Sequence, residues 1–134
     1  MSGHSARGAL RFAGYAAIFN RIDKGGDIIR PGAFGALKGG AQLPLLWQHR
    51  PHERIGSITY AREDKRGLRV IGHISPDCEA ARLLKTGAVK GLSFGYRVRR
   101  AQGRRPRILL GLDVAEVSLV TFPMQSWAGV HLLA

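Results

Sequence analysis

The sequence contains a single cysteine, nine acidic residues and no long uninterrupted apolar segment. With Cys78 alone an internal disulfide is excluded, and no Cys and His residues stand at the spacing of a zinc site, so neither a metal nor a cofactor is expected. Polar residues interrupt the first 20 residues too often for a secretory signal, and they interrupt residues 117–134 too often for a membrane span. We therefore expect a cytoplasmic protein that is not in a membrane.

The scarcity of acidic residues leaves a strong positive charge. Against nine Asp and Glu stand 21 Lys and Arg, for a formal net charge of +12. The segment 82–107 contains nine of these cations and no acid, and this predicts a surface for nucleic acid or an acidic protein. The alternative is a solvated loop without a specific partner. The candidate partner-binding residues are Arg100, Arg104, Arg105 and Arg107.

The length of 134 residues and a hydrophobic content of 45% are typical of one globular domain. We expect residues 1–134 to form it, with a flexible N-terminus (1–8) and a short C-terminal tail (124–134). Alternating apolar and polar residues, with frequent Gly and Pro, predict a mainly β fold with short helices (α+β). The predicted strands are 9–20, 42–49, 54–63, 67–75, 91–100 and 107–122, with a turn at 64–67. The predicted helices are 31–40 and 76–87, the second capped by Ser75 or Asp77 and ended by Gly87.

The segment GLSFG (91–95) fits the pattern G-x-S-x-G of a serine nucleophile at a strand-to-helix elbow. The order of elements argues against that elbow, because a helix is predicted before Ser93 and a strand period follows it. The hydrolase order of Ser, acid and then His also fails, since the only later histidine is His131. Ser93 is therefore either a nucleophile on a strand or a polar residue at a strand bend.

A serine nucleophile needs a base, and a base needs an acid that orients it. His49, with His52 nearby, ends the apolar strand LLWQH and is the candidate base. Asp113 and Glu116 are the only acids after Ser93. They are three positions apart and so point to opposite faces of a strand, which leaves the choice between them open.

Four motifs together resemble the prohead maturation protease family of tailed phages, of the HK97-like type. They are LLWQH (45–49), GLSFGYR (91–97), AEVSLVTFP (115–123) and GYAAIFNRIDKGGDIIRPGAF (14–34). The resemblance implies a fold similar to the herpesvirus assembly proteases, a β-barrel surrounded by helices. It also implies His49 as the base, Ser93 as the nucleophile and Glu116 as the acid. A backbone N–H, helped by Arg97 or Arg99, would stabilise the oxyanion.

The function implied by this resemblance is serine endoproteolysis during head maturation, inside the immature capsid in the host cytoplasm. The expected partners are the major capsid protein and its scaffolding segment, while self-cleavage and a homodimer stay open. The rival function is a non-catalytic basic β-barrel that binds nucleic acid or scaffold. Phe94 and Tyr96 could stack bases, but they alternate with Ser93 and so are expected to face the core.

Overall fold

The computed structural model of the chain describes residues 8–37 and 42–133. Within these residues eight strands form one sheet that curls into a half-barrel. The strand order is β2-β7-β3-β4-β5-β1-β8, and β6 also pairs with β7. The strands are β1 (Leu10–Ile18), β2 (Asp27–Ile29), β3 (Leu43–Trp47), β4 (Arg50–Glu63), β5 (Gly67–Ile74), β6 (Gly91–Gln102), β7 (Arg107–Val120) and β8 (Val130–Leu132), and helix α1 spans Glu79–Thr86.

Strand β7 organises the sheet, because it pairs with three other strands. β6 pairs antiparallel along it, from Gly91 opposite Val120 to Gln102 opposite Ile108. β2 and β3 run parallel to it at its two ends, beside residues 107–109 and 117–119. The parallel pairing brings the carboxyl end of β3 next to the carboxyl end of β7.

The core is one cluster of buried residues, mainly from the strands of this sheet and from helix α1. Its fully buried side chains include Phe12, Leu45, Leu92, Leu119 and Val117. Along β5 buried and partly exposed residues alternate, whereas consecutive residues are buried in β1 and at the end of β7, so the sheet is covered on both faces there. The mainly β class expected from the sequence is confirmed.

All six predicted strands are present, with ends shifted by a few residues. The short strands β2 and β8 were not predicted, and β8 lies in the segment expected to be a tail. The expectation for the N-terminus falls mainly on residues 1–7, which lie outside the described residues.

The helix predicted at 31–40 is wrong over residues 31–37, and residues 38–40 lie outside the described part. The chain forms successive turns there, and Gly32 has a positive φ of 94°. The N–H groups of Gly32 and Phe34 donate to the carboxylate of Glu63, at 2.9–3.1 Å and 2.9 Å. The N–H groups of Gly35 and Leu37 donate to carbonyls three residues earlier, at 3.0 and 2.9 Å, and the φ of Gly32 lies outside the helical region, so separate turns form in place of a helix.

Helix α1 confirms the second helix prediction over a shorter span. Gly87 ends it in the left-handed conformation (φ 80°), as expected. The predicted caps Ser75 and Asp77 are wrong, because the N-cap residue is Cys78 and no side chain caps the helix. Across residues 8–37 and 42–133 no helix is long and apolar enough to cross a membrane.

Candidate active site

Ser93 lies on β6, directly opposite Ser118 of β7. It is 6% exposed, and its Oγ accepts a hydrogen bond of 3.0 Å from the backbone N–H of Met124. A strand continues on both sides of the residue, so GLSFG is not an elbow. A buried hydroxyl that accepts from a fixed backbone donor has a defined position and keeps its own hydrogen to donate.

The two glycines of GLSFG have steric roles. A Cβ at position 91 would stand 2.8 Å from Cδ of Pro123, and a Cβ at position 95 would stand 2.9 Å from Cδ of Glu116. The absence of a side chain at Gly91 therefore lets the loop after β7 approach β6. The absence of a side chain at Gly95 lets the Glu116 side chain lie across β6. The G-x-S-x-G pattern here results from close packing around a strand.

His49 occupies a two-residue turn between β3 and β4, which Trp47 and Arg50 close as a pair. Gln48 and His49 have φ values of 51° and 59°. Such two-residue hairpin turns usually contain Asn or Gly, because other residues rarely adopt the left-handed region. Backbone strain of this kind concentrates at functional sites, where the surrounding structure holds it in place.

The imidazole of His49 and the carboxylate of Glu116 are hydrogen-bonded, with 2.8 Å between Nδ1 and Oε2. The His49 side chain is 44% exposed and that of Glu116 is 15% exposed. A carboxylate oxygen only accepts, so Nδ1 of a neutral His49 carries the hydrogen and Nε2 is left as a proton acceptor. Asp113, the alternative acid, instead forms an ion pair of 3.1 Å with Arg99.

Ser93 and His49 line the same cavity, which has a volume of about 370 Å³. Within the described residues no hydrogen bond joins the two side chains. The cavity wall is largely apolar, with Phe94, Tyr96 and Phe122 among its residues. Phe94 and Tyr96, whose rings are 4.7 Å apart, pack against the core as expected, but they also line the cavity of Ser93, so alternation along β6 does not keep them away from it.

Tyr96, which lines this cavity, has a shifted pKa. Burial, followed by the nearby carboxylates of Asp27 and Asp23, raises the pKa of the Tyr96 phenol above its ordinary value. The phenol is therefore neutral at physiological pH, and its hydroxyl can donate a hydrogen bond.

The other described histidines do not line the cavity of Ser93. His52 is exposed on β4, and His73 on β5 lines a hollow with Arg54 and Ser57. His131 on β8 lines a separate cleft of about 560 Å³. Of the four histidines in the described part of the chain, His49 is the one that shares a cavity with Ser93.

The arginines expected near the oxyanion lie further along β6. Arg97 and Arg99 are exposed, and neither lines the cavity of Ser93 and His49. Arg99 is bound to Asp113, while Arg97 has no ion pair with any residue that the structure describes.

The candidate partner-binding arginines divide into two groups. Arg107 makes two hydrogen bonds to the buried carboxylate of Asp27, at 3.0 and 2.8 Å, and this contact raises the pKa of its guanidinium. It therefore links β2 to β7. Arg100, Arg104 and Arg105 are exposed on the β6–β7 hairpin and have no carboxylate partner within residues 8–37 and 42–133.

Two residues near the site were not identified as functional from the sequence. Ser118 is fully buried and contacts both His49 and Glu116. Its position two residues after Glu116 was a usable signal, because it places both side chains on one face. Gln125 binds the backbone N–H and C=O of Ile18, at 2.7 and 2.8 Å, and nothing in the sequence pattern indicates this contact.

Comparison with known proteins gives a consistent family match. The family model described as Caudovirus prohead serine protease matches residues 2–133. The prohead protease of Enterobacteria phage HK97 is 35% identical over 130 residues, which is 89% of this chain and 58% of the relative. The capsid polyprotein of Pseudomonas phage PAJU2 is 29% identical over 101 residues, or 66% of this chain and 15% of the relative. The chain thus spans less than two thirds of the length of these relatives.

Solved structures with the same fold come from herpesviruses. The protease of Kaposi's sarcoma-associated herpesvirus, in complex with a hexapeptide phosphonate inhibitor, has a TM-score of 0.68 at 14% identity, over 94% of this chain and 65% of the other. The varicella-zoster virus protease has a TM-score of 0.62 at 20% identity, over 92% and 64%. At these identities the similarity concerns the fold.

Proposed function

Because this chain belongs to the prohead serine protease family of tailed phages, we propose that it is a serine endopeptidase that cleaves capsid and scaffolding proteins during head maturation. Ser93 is the nucleophile, His49 the general base and Glu116 the acid that orients His49. The observation that carries this assignment is the hydrogen bond between His49 Nδ1 and Glu116, beside the cavity that His49 shares with Ser93.

In the proposed reaction Ser93 Oγ attacks the carbonyl carbon of the scissile peptide bond and loses its proton to Nε2 of His49. Glu116 holds the imidazole in the Nδ1–H tautomer and stabilises the imidazolium that forms. His49 then protonates the leaving amine. Water attacks the acyl-enzyme with His49 again as the base, and His49 returns the proton to Ser93 as the acid product leaves. The Ser93–His49 hydrogen bond is expected to form when substrate binds, because such bonds are often long in unliganded sites.

The oxyanion requires donors aimed at its position. We assign this role to a backbone N–H helped by Arg97 or Arg99. Neither arginine lines the cavity in this structure, so either would have to move toward it when substrate binds, and Arg99 would also have to leave Asp113.

The proposed substrates are the major capsid protein and its scaffolding segment, cleaved within the immature capsid in the host cytoplasm. This part of the proposal follows from the names of the relatives, a prohead protease and a capsid polyprotein. Self-cleavage and a homodimer are compatible with it. The exposed arginines of the β6–β7 hairpin support a recruiting contact with nucleic acid or with acidic scaffold.

A fluorophosphonate reporter tests the activated serine without knowledge of the substrate, because it reacts with activated serine nucleophiles. We expect one adduct by intact mass, located on Ser93, and none on Ser93→Ala. His49→Ala should lose labelling, while the matched variant His52→Ala should label like the parent.

Co-expression with a capsid protein precursor should then show trimming that Ser93→Ala abolishes, since removal of the nucleophile costs on the order of a millionfold. Unchanged trimming by purified Ser93→Ala would refute the proposal.

A further inference from the structure

The turn at Gln48–His49 is held by β7 and the loop that follows it. The N–H of Gln48 donates to the carbonyl of Leu119 (3.0 Å), and the N–H of His49 donates to Oγ of Ser118 (3.1 Å). The Gln48 amide also exchanges two hydrogen bonds with Thr121, at 2.6 and 3.1 Å. Two residues in the left-handed region are thus kept there by contacts with a strand about 70 positions later.

Ser118 has a second contact, with the acid. Its Oγ donates to Oε1 of Glu116 at 2.7 Å, while Oε2 of the same carboxylate accepts from Nδ1 of His49 at 2.8 Å. The N–H of His49 can only donate, so the single hydroxyl hydrogen of Ser118 is directed to the carboxylate. The three residues therefore form a closed ring of hydrogen bonds that includes both the backbone and the side chain of His49.

Ser118 lies in a buried environment between two strands. Ser118 is 0% exposed, so water does not compete for its hydroxyl. It lies between β3 and β6, beside Leu46 and opposite Ser93. Ser118 is therefore hydrogen-bonded to the proposed base and acid and is the strand partner of the proposed nucleophile.

We propose that Ser118 is the positioning residue of this site: its hydroxyl fixes the Glu116 carboxylate and the strained His49 turn relative to each other, and so selects the Nδ1–H tautomer of His49. This inference rests on the proposed function for its effect on catalysis. Its effect on the tautomer is independent of catalysis, since it concerns hydrogen bonds that are present without substrate.

The test compares Ser118→Ala with the parent in two measurements. In ¹⁵N-histidine NMR, with the His49 signals identified by their loss in His49→Ala, the fraction of neutral His49 in the Nδ1–H form should fall in Ser118→Ala. In peptide cleavage kcat should fall about a hundredfold, the size of effect expected for a displacement near 1 Å. KM should change little, because Ser118 does not line the cavity.

Two further variants separate positioning from general stability. Ser118→Thr keeps the hydroxyl and should recover much of both signals. Ile58→Val, a change at a fully buried site on β4, destabilises the core and should leave the tautomer unchanged. If Ser118→Ala does not fold, Ser118→Cys keeps one heavy atom beyond Cβ, fills the site with a larger sulfur and weakens both hydrogen bonds, and the same two measurements apply to it.

The outcomes distinguish this inference from the proposed function. An unchanged tautomer together with unchanged kcat in a folded Ser118→Ala protein would overturn the positioning role. Absence of labelling and cleavage by the parent would refute the protease assignment, and the tautomer comparison would still decide whether Ser118 orients His49.

Discussion

The carboxylate of Glu116 lies over the Cα of Gly95, its partner across the β6–β7 pair. A methyl group at position 95 would overlap Oε2, the oxygen that binds His49, and would stand 2.9 Å from Cδ. Glu116 therefore reaches His49 only because Gly95, the residue opposite it, has no side chain.

Gly95→Ala should fold, because the atoms it displaces belong to the end of a flexible side chain. We expect peptide cleavage to fall by about a hundredfold or more, as the carboxylate moves away from His49. The matched control is Gly111→Ala on β7, where a Cβ would meet its nearest neighbour at an ordinary 3.4 Å. Equal rates for the two variants would argue against a requirement for this close approach.

Glu116→Gln and Asp113→Asn separate the two candidate acids. Glu116→Gln should lose roughly ten-thousandfold in kcat, because an amide no longer selects the productive tautomer of the base. Asp113→Asn breaks an exposed ion pair with Arg99 and should stay within a few-fold of the parent. A parallel assay on one peptide decides between them, and a collapse confined to Asp113→Asn would reverse the assignment.

Gln125→Ala should reduce the free energy of unfolding by about 2–4 kcal/mol, because it leaves the buried N–H and C=O of Ile18 without partners. The loss in the free energy of unfolding is measured by urea unfolding, and the m-value should be the same in the variant and the parent. Gln102→Ala, at an exposed position near the end of β6, is the control and should be close to neutral. A similar small loss in both variants would mean that water replaces the hydrogen bonds of Gln125.

The basic hairpin is tested by changing Arg100, Arg104 and Arg105 to Gln, while Arg107 is kept because it holds the buried carboxylate of Asp27. Association with immature capsid shells should weaken and become less dependent on salt. With nucleic acid as the partner, the salt slope should fall by about one for each phosphate that the protein no longer neutralises. A triple change of Arg11, Arg62 and Lys65 to Gln removes the same charge elsewhere, and equal losses would indicate net charge alone.

The strands and the character of the serine motif were determined by local sequence. Alternation along 91–100 places Ser93 on a strand, and the order of His, Ser and acid excludes the elbow type of site. Strand period is a local property, since neighbouring side chains point to opposite faces whatever the partner strand. The same parity placed Glu116 and Ser118 on one face, but it could not say whether that face or the Asp113 face met His49.

Tertiary structure decided what depends on contacts between distant segments. The parallel pairing of β3 with β7 brings the His49 turn to Ser118, and the carboxylate of Glu63, about 30 positions later, binds the turns formed at 31–37. Arg107, grouped with the basic surface by composition, is instead bound to Asp27, 80 positions earlier. The three-residue strands β2 and β8 carry too little pattern to predict, because their hydrogen bonds come from partners far away in the chain.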